Sequence, residues 1–258
     1  MFTQTINATG KRVIAFNDIH GEFDLLNFAL DSLKVTKNDV VISVGDMIDR
    51  GPKSYQTVDT FLYEENFFPV LGNHELLFLS GYLNNNAHDH ATSVANGGLW
   101  HTQYHRREME HLGRRLLSWV PKALLVKFGS KKIAFTHADI PKDEFWLLNE
   151  SDTKTMLWNH EAIKENRRIL DIDLAVHGHK TVTLPTLVGN RAFIDTNSNF
   201  KHVADEDEIE RGFMTALVIE EGKVEAVHFA ESLLGKRYMV LLGDNHNFNT
   251  ACSDLLAN

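Results

Sequence analysis

Asp18-Ile19-His20-Gly21 closes a short apolar run, residues 12–17 (RVIAFN), and precedes a stretch in which Phe23, Leu25, Leu26, Phe28, Ala29, Leu30 and Leu33 recur at helical spacing. The run reads as a buried strand, the stretch as a helix, and Gly21 as the break between them. In open α/β sheets, ligands bind in the crevice beyond the carboxyl ends of the strands. In an extended chain Asp18 and His20 point the same way, because side chains alternate with period two. A carboxylate beside an imidazole begins a metal site, but Asp-x-His is common by chance and one pair decides nothing.

The same device recurs downstream. Asp39–Val44 (DVVISV) reads as a second buried strand and ends in Gly45-Asp46-Met47-Ile48-Asp49-Arg50-Gly51-Pro52. Its glycines and proline are turn-formers, which puts the polar residues between them on a loop. A helix is expected from about Ser54 to Glu65, then a strand over Phe67–Leu71, after which Gly72-Asn73-His74-Glu75 opens another helix. Alternation of this kind gives a parallel sheet with right-handed crossovers, so the three turns meet at one edge.

The remainder is less regular. Asn84–Gly98 reads as a polar loop with His88 and His90 on a solvated surface, and Glu108–Val120 as a helix ended by Pro121. A hairpin over Ala123–Phe128 and Lys132–Thr136 leads into His137-Ala138-Asp139. A helical stretch to about Leu170 is followed by a strand, Ile172–Val176, ending in His177-Gly178-His179. Strands at Arg191–Asp195, Phe213–Glu220 and Lys223–Ala230 follow, with Asp205–Glu210 as an acidic, solvated connector. From Glu231 onward no chemistry is evident.

Composition narrows the function. The 258 residues fit one α/β domain over 1–258, and 43% hydrophobic with 24% charged residues is ordinary globular material. No run of about eighteen apolar residues occurs, so no membrane-spanning helix is expected. The first twelve residues lack an apolar signal core, which favours a cytoplasmic setting. Cys252 is alone, giving neither a disulfide framework nor a thiolate metal site. A net charge of −9 argues against a nucleic-acid surface, so an anionic substrate needs local arginines or metal ions.

Collecting the polar residues at strand ends gives Asp18, His20, Asp46, Asn73, His137 and His179. This oxygen and nitrogen set suits manganese, iron or zinc. Six ligands exceed what one catalytic ion with an open position uses, but they suit two ions sharing a carboxylate, with Asp46 as the natural bridge. Two ions about 3.5–4 Å apart acidify a bridging water and clamp a phosphoryl group. Taken singly, each position also has a structural reading: a strand-end histidine held by hydrogen bonds, or Asn73 and Asp46 as helix caps. Five such turns after five strands are harder to explain that way.

Asp18-x-His20-Gly21, Gly45-Asp46-x-x-Asp49-Arg50-Gly51 and Gly72-Asn73-His74-Glu75 resemble the three signature motifs of the phosphoprotein phosphatases among the calcineurin-like metallophosphoesterases. Asn96-Gly97-Gly98-x-Trp100, His137-Ala138-Asp139-x-Pro141, Trp158-Asn159, Gly178-His179 and Ile194-Asp195-Thr196 are similar to segments of the bacterial and bacteriophage lambda type. The resemblance covers about residues 12–230 and leaves 231–258 as an extension. It implies an α/β (α+β) fold with a central β-sandwich flanked by helices, and two divalent ions: manganese, with iron, zinc or nickel as alternatives. Asp18, His20 and Asp46 would hold one ion; Asp46, Asn73, His137 and His179 the other. His179 is preferred to His177 because the family's ligand follows the glycine. His74 would be the general acid, oriented by Asp49, and Arg50 would hold phosphate oxygens, with Asn73 and His160 also facing substrate. The implied activity is that of a Ser/Thr, or dual-specificity, protein phosphatase acting on phosphorylated protein or a small phosphoester. Metal-bridging hydroxide would attack phosphorus directly.

Two departures stand out. The lambda type carries arginine at the positions of Leu71 and His160, and losing both weakens transition-state stabilisation by on the order of a few kcal/mol unless other cations replace them. His160 when protonated, Arg106, Arg107, Arg167 and Arg168 are the substitutes considered. Leu71 also resembles the symmetrical dinucleoside tetraphosphatases, which form the alternative enzyme class. A non-catalytic phosphoryl-binding scaffold is more distant, since binding alone does not need a general acid.

Overall fold

The computed structural model describes residues 2–202, 212–240, 242 and 245–257. The acidic connector Asp205–Glu210 lies outside them. Among the described residues, one sheet contains β2 (Val13–Phe16), β3 (Val40–Ser43), β4 (Phe67–Pro69), β10 (Lys201–His202), β11 (Met214–Glu220) and β12 (Lys223–Ser232) in the order β10-β12-β11-β2-β3-β4, with β13 (Arg237–Val240) paired to β12. The other has the order β1-β5-β6-β7-β9-β8, from β1 (Thr3–Asn7), β5 (Ala123–Phe128), β6 (Lys131–Thr136), β7 (Leu174–His177), β8 (Thr186–Val188) and β9 (Arg191–Phe193). β2, β3 and β4 are parallel, as are β6, β7 and β9, while β11 and β12 run antiparallel.

Strand β2 shows why two sheets form. All four of its residues are buried, so each face needs a cover. Val13 and Ala15 pack into a core shared with Val126, Phe135 and Val176 of the opposite sheet. Ile14 and Phe16 point the other way, against α1 (Phe23–Ser32), α2 (Ser54–Tyr63), α3 (Asn73–Leu83) and α5 (Arg106–Trp119). Each fully buried aliphatic or phenyl side chain contributes about 1.5–3 kcal/mol, so the two-faced strand ties both layers together. The outer face of the second sheet is covered by Phe145, Ile169, Ile172 and Met156 of α6 (Thr153–Trp158). The chain is thus a helix-flanked β-sandwich.

Several expectations fail for identifiable reasons. Asn84–Gly98 is not a loop, because α4 occupies Ala87–Ala95. Its start is fixed by the Asn86 side chain accepting the N–H groups of His88 and Asp89, a cap that supports a helix with too few apolar residues to show periodicity. His88 is exposed, but His90 is half-buried with its ring 5.2 Å from that of Tyr82. The helical stretch expected to Leu170 is α-helical only over Thr153–Trp158, with short 3-10 turns at Phe145–Leu147, Glu150–Asp152 and Ala162–Lys164. Beyond Trp158 the chain is held by polar contacts, such as the Asn190 amide donating to the carbonyls of Ile169 and Ile172. Strand β1 was not anticipated, because TQTIN carries one apolar residue; it pairs with β5. The tail supplies β13 and α7 (His246–Leu256), whose Phe248, Cys252 and Leu256 enter the inter-sheet core.

His228 gives the fold an acid-sensitive point. It is fully buried, faces Thr215 Oγ1 at 2.8 Å through Nδ1 and meets the Asn245 amide at Nε2. Thr215 in turn contacts Thr196 at 2.6 Å, and Thr196 donates to the Phe213 carbonyl at 2.8 Å. That chain fixes the neutral tautomer. Burial pushes the imidazole down to about 4 from its ordinary 6.5, so protons bind the unfolded chain first and stability is lost as pH falls from 6.5 toward 4. Thermal melts between about pH 7 and pH 5 should show a smaller acid-induced drop in Tm for His228→Gln than for the parent chain, although the variant is less stable at neutral pH.

Candidate functional site

The turns after β2, β3, β4, β7 and β9 and the residues after α6 converge on one cavity of about 340 Å³. Asp18, His20, Asp46, Asn73, His74, His160, His179 and Arg50 all line it, and His137, fully buried after β6, stands directly behind Asn73. These are nine of the ten residues expected at a site, and the tenth, Asp49, is buried behind His74. The pairing of Asp18 with His20 does not arise from strand alternation, however, because His20 has already turned to φ +48°.

Strain is concentrated here. His20, Asp46, Asp49, Arg50 and His179 all adopt positive φ, between +47° and +71°, which non-glycine residues hold only where surrounding contacts impose it. Glu75 supplies much of that constraint. Its buried carboxylate accepts the N–H groups of Asp46 (2.9 Å), Met47 (2.8 Å), Ile48 (3.2 Å) and Gly72 (2.9 Å). Two glycines are required by close approach. A Cβ on Gly72 would stand 2.1 Å from Asp46 Oδ1, and one on Gly178 would stand 2.0 Å from Asp18 Oδ1.

The centre is a set of lone pairs facing one another. His137 Nδ1 donates to the Val44 carbonyl at 2.8 Å, so its Nε2 presents a lone pair 2.8 Å from Asn73 Oδ1 and 3.3 Å from Asp46 Oδ2. His20 Nδ1 likewise donates to the Ile48 carbonyl at 3.0 Å and aims Nε2 at Asp46 Oδ2, 4.0 Å away. His179 Nδ1 stands 3.0 Å from the same Asn73 oxygen. An imidazole whose second nitrogen donates to a backbone carbonyl is the usual form of a metal-ligating histidine. Burial would lower His137, but the carboxylates of Asp46 and Asp18 overcome it and raise the ring to about 10. The cluster thus demands a cation; a proton on His137 meets the demand in part, and divalent ions fit the donor set better. Two groups of ligand atoms each lie within 4.8 Å of one another: His20, Asp46 and His74, and Asp46, His137 and His179. Asp46 belongs to both. Asp18 lies outside these groups, its carboxylate oxygens accepting the His179 N–H at 3.0 and 3.1 Å.

His74 is prepared for proton transfer. Its Nδ1 donates to Asp49 Oδ2 at 2.7 Å, and the other Asp49 oxygen accepts the Trp100 indole N–H at 2.7 Å. Burial opposes charge on the ring, but Asp46 and the Asp49 hydrogen bond prevail and raise its pKa above 6.5. Its Nε2 faces the cavity, 3.3 Å from the Arg50 guanidinium.

Other residues acquire functions that single-residue reading did not assign. Trp100 and Glu75 hold the Asp46–Arg50 turn and its acid partner. Asp195, buried beside Asp18, lines the cavity and accepts a hydrogen bond from Thr181 at 2.9 Å. All three lie in quoted motif segments, and that is the signal by which they could be found. Asp139 is paired with the buried Arg191 at 3.0 Å and with Arg167 at 2.8 Å, and it accepts the Asn159 amide at 2.9 Å. This network ties the His137 loop to Trp158 and His160. Arg167 is therefore committed away from the cavity, and none of Arg106, Arg107, Arg167 and Arg168 lines it. His177 is buried behind the site, held by Thr136.

Among known proteins, this chain is 31% identical over 204 residues to serine/threonine-protein phosphatase 2 of Escherichia coli, covering 76% of this chain and 92% of that protein. It is 28% identical over 211 residues to the symmetrical bis(5'-nucleosyl)-tetraphosphatase of Wigglesworthia glossinidia brevipalpis, covering 75% and 70%. The crystal structure of a provisionally assigned diadenosine tetraphosphatase shares the fold, with a TM-score of 0.63 at 19% identity over 88% of this chain and 97% of that one. The family model for calcineurin-like phosphoesterases matches residues 11–182, the span that supplies every turn of the cavity but the one carrying Asp195. The chain belongs to the calcineurin-like phosphoesterases, phosphoester hydrolases built on a dinuclear metal centre.

Proposed function

We propose that this protein is a metal-dependent phosphomonoesterase of the serine/threonine protein phosphatase type, with Asp18, His20 and Asp46 as ligands of one ion and Asp46, Asn73, His137 and His179 as ligands of the other. The observation that carries this reading is the convergence of imidazole nitrogens from His20, His137 and His179 on Asp46 Oδ2 and Asn73 Oδ1, a nitrogen and oxygen donor set that suits divalent ions. When bound, two divalent ions polarise the phosphoryl oxygens and acidify the attacking water. Manganese suits the all-oxygen-and-nitrogen set. A cytoplasmic setting goes with it, as the single buried Cys252 offers no disulfide framework, and no helix among the described residues is long and apolar enough to cross a membrane. The packing of α7 into the inter-sheet core supports treating 1–258 as one domain.

His74 serves here as general acid rather than as ligand, although its ring approaches the His20–Asp46 group. Nδ1 is taken by Asp49, and Nε2 faces a guanidinium at 3.3 Å, a neighbour that repels a divalent ion. A protonated Nε2 can instead deliver its proton to the leaving oxygen, with Asp49 fixing the tautomer. Arg50 stands where it can hold a phosphoryl oxygen by a charge-assisted contact. Asn73 and His160 border the same space. The protein phosphatase relative matches more of this chain at higher identity than the tetraphosphatase, which supports phosphoprotein as substrate. Leu71 is the one feature that favours the second reading.

His74→Asn should lower kcat by about 10²–10⁴-fold, the usual range for losing a general acid, with bound metal unchanged by elemental analysis. Loss of metal in that variant contradicts the acid assignment. Asp46→Asn should strip both sites of metal, and a variant that retains two ions and full activity removes Asp46 from its bridging place. With manganese, kcat/KM should be higher on a phosphoserine peptide than on diadenosine tetraphosphate; the reverse order moves the chain to the tetraphosphatase class.

A further inference from the structure

The cavity is short of positive charge. Carboxylates from Asp18, Asp46 and Asp195 line it, whereas Arg50 and Lys180 are the only arginine and lysine that do so among the described residues. Leu71 cannot help, being 4% exposed within the helix-side core, with its N–H donated to the Pro121 carbonyl at 2.8 Å. His160 lines the cavity with its ring stacked on that of His179, centroids 4.2 Å apart and planes 29° from parallel, and it lacks the permanent charge of an arginine.

Lys180 differs from these. It directly follows His179, is partly buried and forms no ion pair among the described residues. Its backbone is pinned from both sides. The Lys180 N–H donates to the Gly178 carbonyl at 2.7 Å, Thr181 Oγ1 donates to Asp195 Oδ2 at 2.9 Å, and the Val182 N–H donates to the Asp195 carbonyl at 2.8 Å. Asp195 is itself fixed by the Asn197 N–H at 3.0 Å. Glu161 on the same rim is held below its ordinary pKa first by its hydrogen bond from Lys164 and then, more weakly, by Lys180 and His160, which places these groups together. A lysine whose backbone is fixed at the wall of the cavity, with no ion pair among the described residues, keeps its ammonium within reach of a bound anion.

We propose that Lys180 is a specificity-determining residue of this pocket: its ammonium contacts a non-bridging phosphoryl oxygen on the His179 side while Arg50 serves the His74 side. This rests on the phosphoesterase reading and extends it to substrate charge. Two cations at one phosphoryl group favour the dianion of a monoester over the monoanion of a diester. Lysine is a point charge with rotatable donors, so it adds charge without the bidentate geometry of arginine. Lys180→Arg should therefore retain most of the effect.

The test compares parent, Lys180→Ala and Lys180→Arg proteins loaded with manganese, on p-nitrophenyl phosphate and on bis(p-nitrophenyl) phosphate, with inorganic phosphate binding measured by calorimetry. Lys180→Ala should raise KM for the monoester and weaken phosphate binding by about tenfold, the scale of one charge-assisted hydrogen bond. It should leave kcat, diester turnover, metal content and Tm nearly unchanged, and its defect should shrink at high salt. Unchanged KM and phosphate affinity, or equal losses on both esters, overturn the proposal. If the parent protein turns over neither ester, the phosphoesterase reading fails, and the calorimetric comparison still decides whether Lys180 holds the anion.

Discussion

The Asp46 carboxylate, 2% exposed and faced by three imidazoles, is the constraint around which this molecule is built. A buried charge of that kind is tolerated only when paired or coordinated. Here the pairing comes from opposite directions: His20 and His74 from the β2–β3–β4 side, His137 from the other sheet. The sandwich must close for the groups to meet. Each layer alone would leave strands such as β2 with one bare apolar face, so the hydrophobic drive that joins the sheets also brings the polar turns together.

Holding acceptors against acceptors is unfavourable, and the surrounding contacts show how it is sustained. Five residues of the site occupy positive φ, a cost of order 1–3 kcal/mol each, and persist because neighbours over-determine them. Glu75 fixes the turn after β3 through three of its N–H groups and the start of α3 through one more. Asp49 is held by Trp100 on one oxygen while it orients His74 with the other. Asp139 plays the corresponding part in the second sheet, between two arginines and Asn159. None of these groups touches the middle of the cavity, yet each sets the position of one that does.

The electrostatic balance follows from the same geometry. Three carboxylates line the cavity beside one arginine and one lysine, a set that suits divalent ions, and such ions, when held there, would supply the positive charge that a phosphate needs. The affinity for substrate is thus conditional on the proposed metal centre. On the proposal made above, Lys180, which forms no ion pair among the described residues, would bear on which phosphate is held. Leu71 serves the helix-side core, and the arginine and lysine that line the cavity among the described residues, Arg50 and Lys180, come from other segments.

The sequence alone determined the strands β2, β3 and β4, their glycine-bearing turns, the helices after them and the residues gathered at the strand ends. These features are local: apolar runs, turn-formers and caps act over a few residues, so they are legible in one dimension. The polar helix α4, the polar strand β1 and the irregular span after Trp158 were not legible, because each is held by a cap, a neighbouring strand or a distant amide rather than by its own periodicity. The site divides in the same way. Asp18, His20, Asp46, Asn73, His74, His137 and His179 could be picked out by residue type and position. Which lone pairs face which, which histidine has its second nitrogen taken by a carbonyl, and which cation reaches the wall were decided only when two sheets packed. Those facts depend on contacts between residues as far apart as Asn17 and Ser198, and such contacts are set by burial in three dimensions.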